Sequence, residues 1–226
     1  MKKYIIWDFD GTIANTNNII IESWQATFRK YLGRELPVKD IEATFGETLK
    51  DTIPKLIPGV DIDEVIDFYR NFQDSHHGII DVYVFDGVRE LIEEMRSRGC
   101  IIGVGTSRTA YSLGNYLREL GIEGLIDVIV SMNDVSRHKP DPETIEAVLR
   151  KMMEREGMGT DEIPGAVRDA AIMIGDTKYD VGCAQNAGVD SVLVGWSHYV
   201  DEDAMQKNGF EPTYRIADPA EVIDLL

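Results

Sequence analysis

The chain has 226 residues, 43% hydrophobic and 28% charged, which suits one globular domain with a sizeable insertion or two small domains. Forty acidic residues against 23 basic ones give a formal net charge of −17; such a surface repels nucleic acid and anionic membranes, so neither is expected as a partner. The four apolar residues after the N-terminal Met-Lys-Lys are too few for a signal-peptide core or a membrane span, so a cytoplasmic protein is expected.

Tyr4-Ile5-Ile6-Trp7 is apolar without alternation, the pattern of a strand buried on both faces of a parallel sheet. It runs into Asp8-Phe9-Asp10-Gly11-Thr12, where two carboxylates two residues apart meet a glycine that permits a sharp turn. Open α/β sheets keep their ligand crevices outside the carboxyl ends of strands. Two acids this close both stay ionised only beside a cation or a donor array, and magnesium, a hard ion that prefers oxygen ligands, is the simplest such cation. A polar turn that caps a helix is the other reading of this stretch alone.

Ile19, Ile20, Trp24, Thr27, Phe28 and Tyr31 recur at helical spacing, which predicts a helix over about 15–31, stopped by Gly33. Further helices are expected near 38–44, 47–56 and 61–74, separated by Gly46 and Pro58-Gly59, with no strand signal among them. A helical block of roughly sixty residues between one buried strand and the next βα unit reads as an inserted domain. The α/β core is therefore expected at 1–14 and 85–226 and an all-helical cap at 15–84, with hinges near 13–17 and 83–87.

From Val88 the strand–helix alternation resumes. Helices are expected at 88–98, 109–120, 143–156 and 179–186, and buried strands at 101–105, 126–130, 170–174 and 191–194. The strands open in turn into Thr106-Ser107, a loop through Arg137-His138-Lys139-Pro140-Asp141-Pro142, Gly175-Asp176, and Gly195-Trp196-Ser197-His198-Tyr199. A Gly- and Asp-rich loop leads through Gly165 to the strand at 170–174. A short acidic helix, an edge strand at 214–216 and an end helix at 220–226 follow. The alternation predicts an α/β fold with a doubly wound parallel sheet. Cys100 and Cys183 match no metal or CxxC spacing and read as buried thiols.

In a parallel sheet every strand-end loop faces one crevice. That rule gathers Asp8, Asp10, Thr12, Thr106, Ser107, Arg108, Asp176 and Asp180, with Lys139 from the loop after the third core strand. Three carboxylates around a hard cation make a magnesium site, and Thr106, Ser107 and Lys139 are donors suited to phosphoryl oxygens. An Asp able to attack phosphorus beside a second acid supplies a nucleophile and a general acid/base.

Four segments in order, Asp8-Phe9-Asp10-Gly11-Thr12, Gly105-Thr106-Ser107, His138-Lys139-Pro140-Asp141-Pro142 and Gly175-Asp176-Thr177-Lys178-Tyr179-Asp180, resemble those of a haloacid-dehalogenase-superfamily phosphohydrolase. The likeness covers nearly the whole chain and points to the phosphoglycolate-phosphatase-like and β-phosphoglucomutase-like group with a helical cap. The resemblance implies a Rossmann-like core and a role for each motif residue. Asp8 would be the nucleophile that forms an aspartyl-phosphate and a magnesium ligand. Asp10 would be the acid/base, with its backbone carbonyl on the metal. Thr106 and the Ser107 backbone would hold the phosphoryl group, and Lys139 would neutralise charge between nucleophile and phosphate. Asp176 would ligate Mg2+, and Asp180 would support that site or orient Lys139. An acid at Asp10 separates phosphoryl-transfer members from the dehalogenases, which lack it.

Outside the motifs, Arg108 could reach a substrate anion or pair with a surface acid. His76 and His77 read as surface or hinge residues, since no acid stands at ligand spacing. Trp24 fits a core stripe, and Lys50 and Lys55 read as either a solvated face or crevice residues. The expected function is a magnesium-dependent phosphatase acting on a small phosphorylated metabolite, as a monomer or homodimer. Pyrophosphatase and β-phosphoglucomutase-type transfer are enzymatic alternatives, and a phospho-acceptor signalling domain is the non-enzymatic one.

Overall fold

The computed structural model describes residues 2–197 and 202–226, so His198 and Tyr199 of the last strand-end loop lie outside the described residues. Strand β1 (Tyr4–Trp7) is central in a six-stranded sheet and fully buried. Its neighbours are β4 (Ile101–Gly105) and β6 (Ala171–Gly175), both parallel, with Tyr4 opposite Ile101 on one side and Ala171 on the other. Strands β5 (Val128–Val130), β7 (Asp190–Val194) and β8 (Tyr214–Ile216) complete the parallel order β5-β4-β1-β6-β7-β8. Chain direction across the sheet reverses at β1, which puts a crevice at its carboxyl end.

The two faces of β1 account for its unalternating sequence. Successive side chains point to opposite faces. Ile5 and Trp7 pack with Val88, Leu91 and Ile92 of α5 (Val88–Ser97) and with Leu113 and Leu117 of α6 (Ala110–Glu119). Tyr4 and Ile6 pack with Val148 and Leu149 of α7 (Glu143–Arg155) and with Cys183 and Ala184 of α9 (Lys178–Ala187). Both cysteines are buried and free. The expected fold class stands: a doubly wound parallel sheet covered by helices on both faces.

Four helices, α1 (Asn17–Leu32), α2 (Val38–Glu42), α3 (Leu49–Leu56) and α4 (Ile62–Ser75), lie between β1 and the resumption of the core. They close on an apolar cluster of their own, with Trp24, Phe28, Ile41, Ile53 and Val65 at its centre. Thr48 and Asp61 cap α3 and α4 by accepting the N–H groups of Asp51 and Glu64.

The sequence reading differs from the structure in several short places. It starts the first helix at residue 15 and sees no strand, but Ala14–Asn15 (β2) pairs antiparallel with Tyr83–Val84 (β3), joining the two chain crossings beneath the helical block. Two residues per strand are too few for any periodicity to register. Helix α8 (Gly165–Asp169), one turn long with only Val167 buried, replaces the end of the expected loop. The end helix is a 3-10 helix over Pro219–Leu225, started by the Asp218 side chain. Helix α10 (Glu202–Asn208) is the short acidic helix. No helix among the described residues is long and apolar enough to cross a membrane.

Candidate active site

Asp8 follows β1 directly, anchored by its N–H to the Ile174 carbonyl at 2.8 Å. The turn after it depends on Gly11, whose φ is +73° and where a Cβ would lie 2.1 Å from an Asp176 carboxylate oxygen. Lys139 donates to Asp8 at 2.8 Å and to Asp180 at 2.6 Å, and all three side chains are buried. The other oxygen of Asp180 accepts from the Thr177 N–H and hydroxyl, a capping box that starts α9 and fixes the carboxylate. Asp176 accepts from Ser197 at 2.7 Å and from Thr12 at 3.3 Å.

Carboxylate oxygens of Asp8, Asp176 and Asp180 lie within 4.8 Å of one another. Burial pushes the Asp8 carboxyl up to about 7; Lys139 opposes that rise, and Asp180 and Asp10 add to it. Burial, then the charges of Asp180 and Asp8, push Asp176 well above the usual carboxylate range. Burial alone would lower the Lys139 ammonium, but Asp180 and Asp8 outweigh it and hold its pKa raised. On the core wall four carboxylates (Asp8, Asp10, Asp176, Asp180) face two cations (Lys139, Arg108), an excess of two negative charges when all are ionised. That donor set fits a divalent hard cation. The sequence reading groups Asp8, Asp10 and Asp176 as the metal residues. The structure places the Asp180 side chain beside Asp8 and Asp176, while the Asp10 side chain turns toward Arg108.

The raised carboxyls give a pH prediction for metal-free protein. Folded Asp8 binds its proton more tightly than unfolded Asp8, so its contribution is present at low pH and lost as pH rises from about 4 through 7. Between pH 5.5 and 8 the loss is about 2 kcal/mol, or roughly 4–8 °C in Tm for a chain of this size. Thermal melts in chelator should show that fall. Added Mg2+ should raise Tm more at pH 8 than at pH 5.5, and a chelated Tm that climbs across this window would refute the charge assignment.

Arg108 is buried, and its guanidinium lies on Asp10: Nε reaches both carboxylate oxygens at 2.8 Å and a terminal nitrogen reaches one at 2.7 Å. A second terminal nitrogen donates to Ser112 at 2.9 Å, and the group stacks over the Tyr116 ring at 4.8 Å. Asp10 also accepts from Thr16, just past the β2–β3 ribbon, at 2.5 Å. The partner of Arg108 is thus a crevice acid, neither a surface acid nor open space. Thr106 is buried and its hydroxyl oxygen accepts the Arg108 N–H at 3.2 Å, which leaves the hydroxyl proton for another acceptor. The Ser107 hydroxyl donates to the Gly46 carbonyl at 3.2 Å.

That last bond is part of a seam between helical block and core. Gly46 has φ +86°, and a Cβ there would come within 2.8 Å of Thr177 and Tyr179. The Tyr179 hydroxyl donates to Glu47. The cavity at this seam has a volume of about 160 Å³, small beside the roughly 300–1,000 Å³ of pockets for drug-sized ligands. Its floor is the carboxylate cluster, and its roof carries Trp24, Lys50, Tyr69 and Arg70. Trp24 is 3% exposed and stacks on Phe28, so it is core and roof at once. Lys50 reaches the cavity wall, whereas Lys55 pairs with Glu47 at 2.7 Å and is otherwise solvated. His76 stacks on Phe72 and His77 faces Glu119 at 3.1 Å, both away from the carboxylates.

Sequence reasoning passed over Thr16, Arg70, Thr177 and Ser197. Ser197 was within reach, since it follows a strand end on the carboxyl edge like every other site residue. The S/T-x-x-D pattern of Thr177 and Asp180 was a legible helix start. Thr16 reaches back six residues to Asp10 across a turn that no periodicity marks, and Arg70 matters only through groups far along the chain.

The family model described as haloacid dehalogenase-like hydrolase matches residues 5–194. Pyrophosphatase PpaX of Halalkalibacterium halodurans is 28% identical over 222 residues, 98% of this chain and 95% of that protein. Pyrophosphatase PpaX of Bacillus mycoides is 30% identical over 193 residues, 85% of this chain and 83% of that protein. Among solved structures, a candidate phosphoglycolate phosphatase from Lactobacillus plantarum superposes with a TM-score of 0.82 at 22% identity, covering 100% of both chains.

Proposed function

The chain belongs to the haloacid dehalogenase-like hydrolases, and we propose that it is a phosphatase of that family that hydrolyses a small phosphorylated metabolite through a phosphorylated Asp8, with Mg2+ as cofactor. The observation that carries this reading is the buried Asp8–Lys139–Asp180 chain with Asp176 beside it, two charges in excess, under a helical roof.

Asp8 attacks phosphorus through a carboxylate oxygen, and the bond from phosphorus to the leaving oxygen breaks. Asp10, after taking up a proton from solvent, gives it to that oxygen, then as carboxylate takes one from the water that attacks the aspartyl-phosphate and releases orthophosphate. Arg108 and Thr16 orient Asp10 for both transfers. Lys139, the Thr106 hydroxyl and the Ser107 backbone face the phosphoryl oxygens. Asp8, Asp176 and the Asp10 carbonyl would hold the metal, which when bound offsets carboxylate and phosphoryl charge. The roof excludes bulk water while the acyl phosphate exists.

Phosphate release from a panel of phosphorylated metabolites, with Mg2+ and with excess chelator, tests the reading. Turnover should need the metal and fall to background without it, and undiminished rates in chelator would overturn the site. Pyrophosphate is the second substrate on the panel, because the relatives described above carry the name pyrophosphatase. A kcat/KM for pyrophosphate above that of every ester would favour it.

A further inference from the structure

The two walls of the cavity differ in charge. The core wall carries all four catalytic-cluster carboxylates. The charged residues of the helical roof that line the cavity are Glu47, Lys50 and Arg70. Glu47 is already satisfied by Lys55, Thr52 and Tyr179. Lys50 and Arg70 form no ion pair among the described residues, in a chain with 40 acids for 23 bases. Arg70 is half-buried on α4, next to the buried Tyr69, whose neighbours include Arg108 and Asp10. Among the described residues its one hydrogen-bond contact is the Met132 sulfur, at 3.9 Å. A thioether is a weak acceptor, and a guanidinium has five N–H donors in a planar fork. Its donors are open to the cavity and not buried, so an oxyanion that enters can take up several of them in charge-assisted bonds.

The transferred phosphoryl group is not that oxyanion, since its donors, Lys139, Thr106 and Ser107, lie on the opposite wall. We infer that Arg70, helped by Lys50, binds a second anionic group of the substrate, a carboxylate or a second phosphate close to the scissile one. This rests on the phosphatase reading and narrows it: the substrates are small phosphate compounds with an additional oxyanion. The small cavity suits such compact ligands.

The test compares kcat/KM for phosphoglycolate and pyrophosphate with that for two esters lacking the second charge, methyl phosphate and the amide of phosphoglycolate. The unaltered enzyme should prefer the doubly anionic compounds. Arg70→Met should reduce kcat/KM for them about 10- to 100-fold, the worth of a charge-assisted hydrogen bond, with the uncharged analogues changed less than about threefold. Arg70→Lys should restore part of the loss. Selective loss on phosphoglycolate identifies a carboxylate as the partner, and selective loss on pyrophosphate identifies a phosphate. Equal loss on charged and uncharged esters means a structural role for Arg70 and overturns the inference, as does an unaltered enzyme indifferent to the second charge. In both cases metal-dependent phosphate release persists, so the phosphatase reading survives. No release from any of the four compounds or from the wider panel overturns both.

Discussion

Asp8→Asn is expected to abolish turnover, by on the order of 10^4-fold or more, while the protein still folds. The amide is nearly isosteric with the carboxylate, but its oxygen is a poor nucleophile and a weaker ligand for a hard cation. Folding should survive because Asp8 is held by its backbone N–H to Ile174 as well as by its side chain, and because burial already disfavours its charge. The substitution should also flatten the fall in Tm between pH 5.5 and 8, since it removes a titrating group. Two measurements decide the matter: phosphate release with purity controlled, and trapping of labelled phosphoryl enzyme by acid quench. The unaltered protein should give labelled enzyme and the variant none. Full activity in the variant would sink the assignment of the nucleophile.

Lys139→Ala should be nearly as damaging, at about 10^3-fold or more in kcat/KM, and on every substrate alike. A phosphate dianion must approach a protein of net charge −17 and settle beside four carboxylates. The other cation on the core wall is Arg108, and its guanidinium is already committed to Asp10 and Ser112. At roughly 4 Å and an effective dielectric of about 20, a unit-charge pair is worth on the order of 4 kcal/mol before desolvation. Lys139 makes two such pairs, with Asp8 and Asp180, so its loss also leaves two buried carboxylates facing one another. Metal-free Lys139→Ala should therefore melt below the unaltered protein, and Mg2+ should recover more of the difference than it does for a surface lysine variant. Near-normal kcat/KM across the panel would show that the phosphate does not bind at Lys139.

The uniform effect expected at Lys139 contrasts with the substrate-dependent one expected at Arg70. One residue meets the group common to all substrates and the other meets what distinguishes them. Lys50 shares the roof with Arg70, whereas Lys55 is held outside by Glu47. Of the two lysines singled out in the sequence, Lys50 is the one whose replacement should alter the ranking of esters.

Much of this protein was determined in the linear sequence by a rule of direction. Once Tyr4–Trp7, Ile101–Gly105 and Ala171–Gly175 read as buried parallel strands, their carboxyl ends had to face one crevice. Asp8, Thr106 and Asp176 followed without knowledge of any contact. The helical insertion was legible because Ile19, Ile20, Trp24, Thr27, Phe28 and Tyr31 recur at helical spacing over several turns. The tertiary structure alone decided which charge meets which. Arg108 and Asp10 are 98 residues apart, and Lys139 and Asp8 are 131. Whether a guanidinium grips an acid, a phosphate or solvent depends on how the intervening helices bring chain segments together. Local pattern carries no record of that distance. For the same reason Arg70 looked like any charge on a helix until the roof closed over the carboxylates and left it facing the cavity with no acid partner among the described residues.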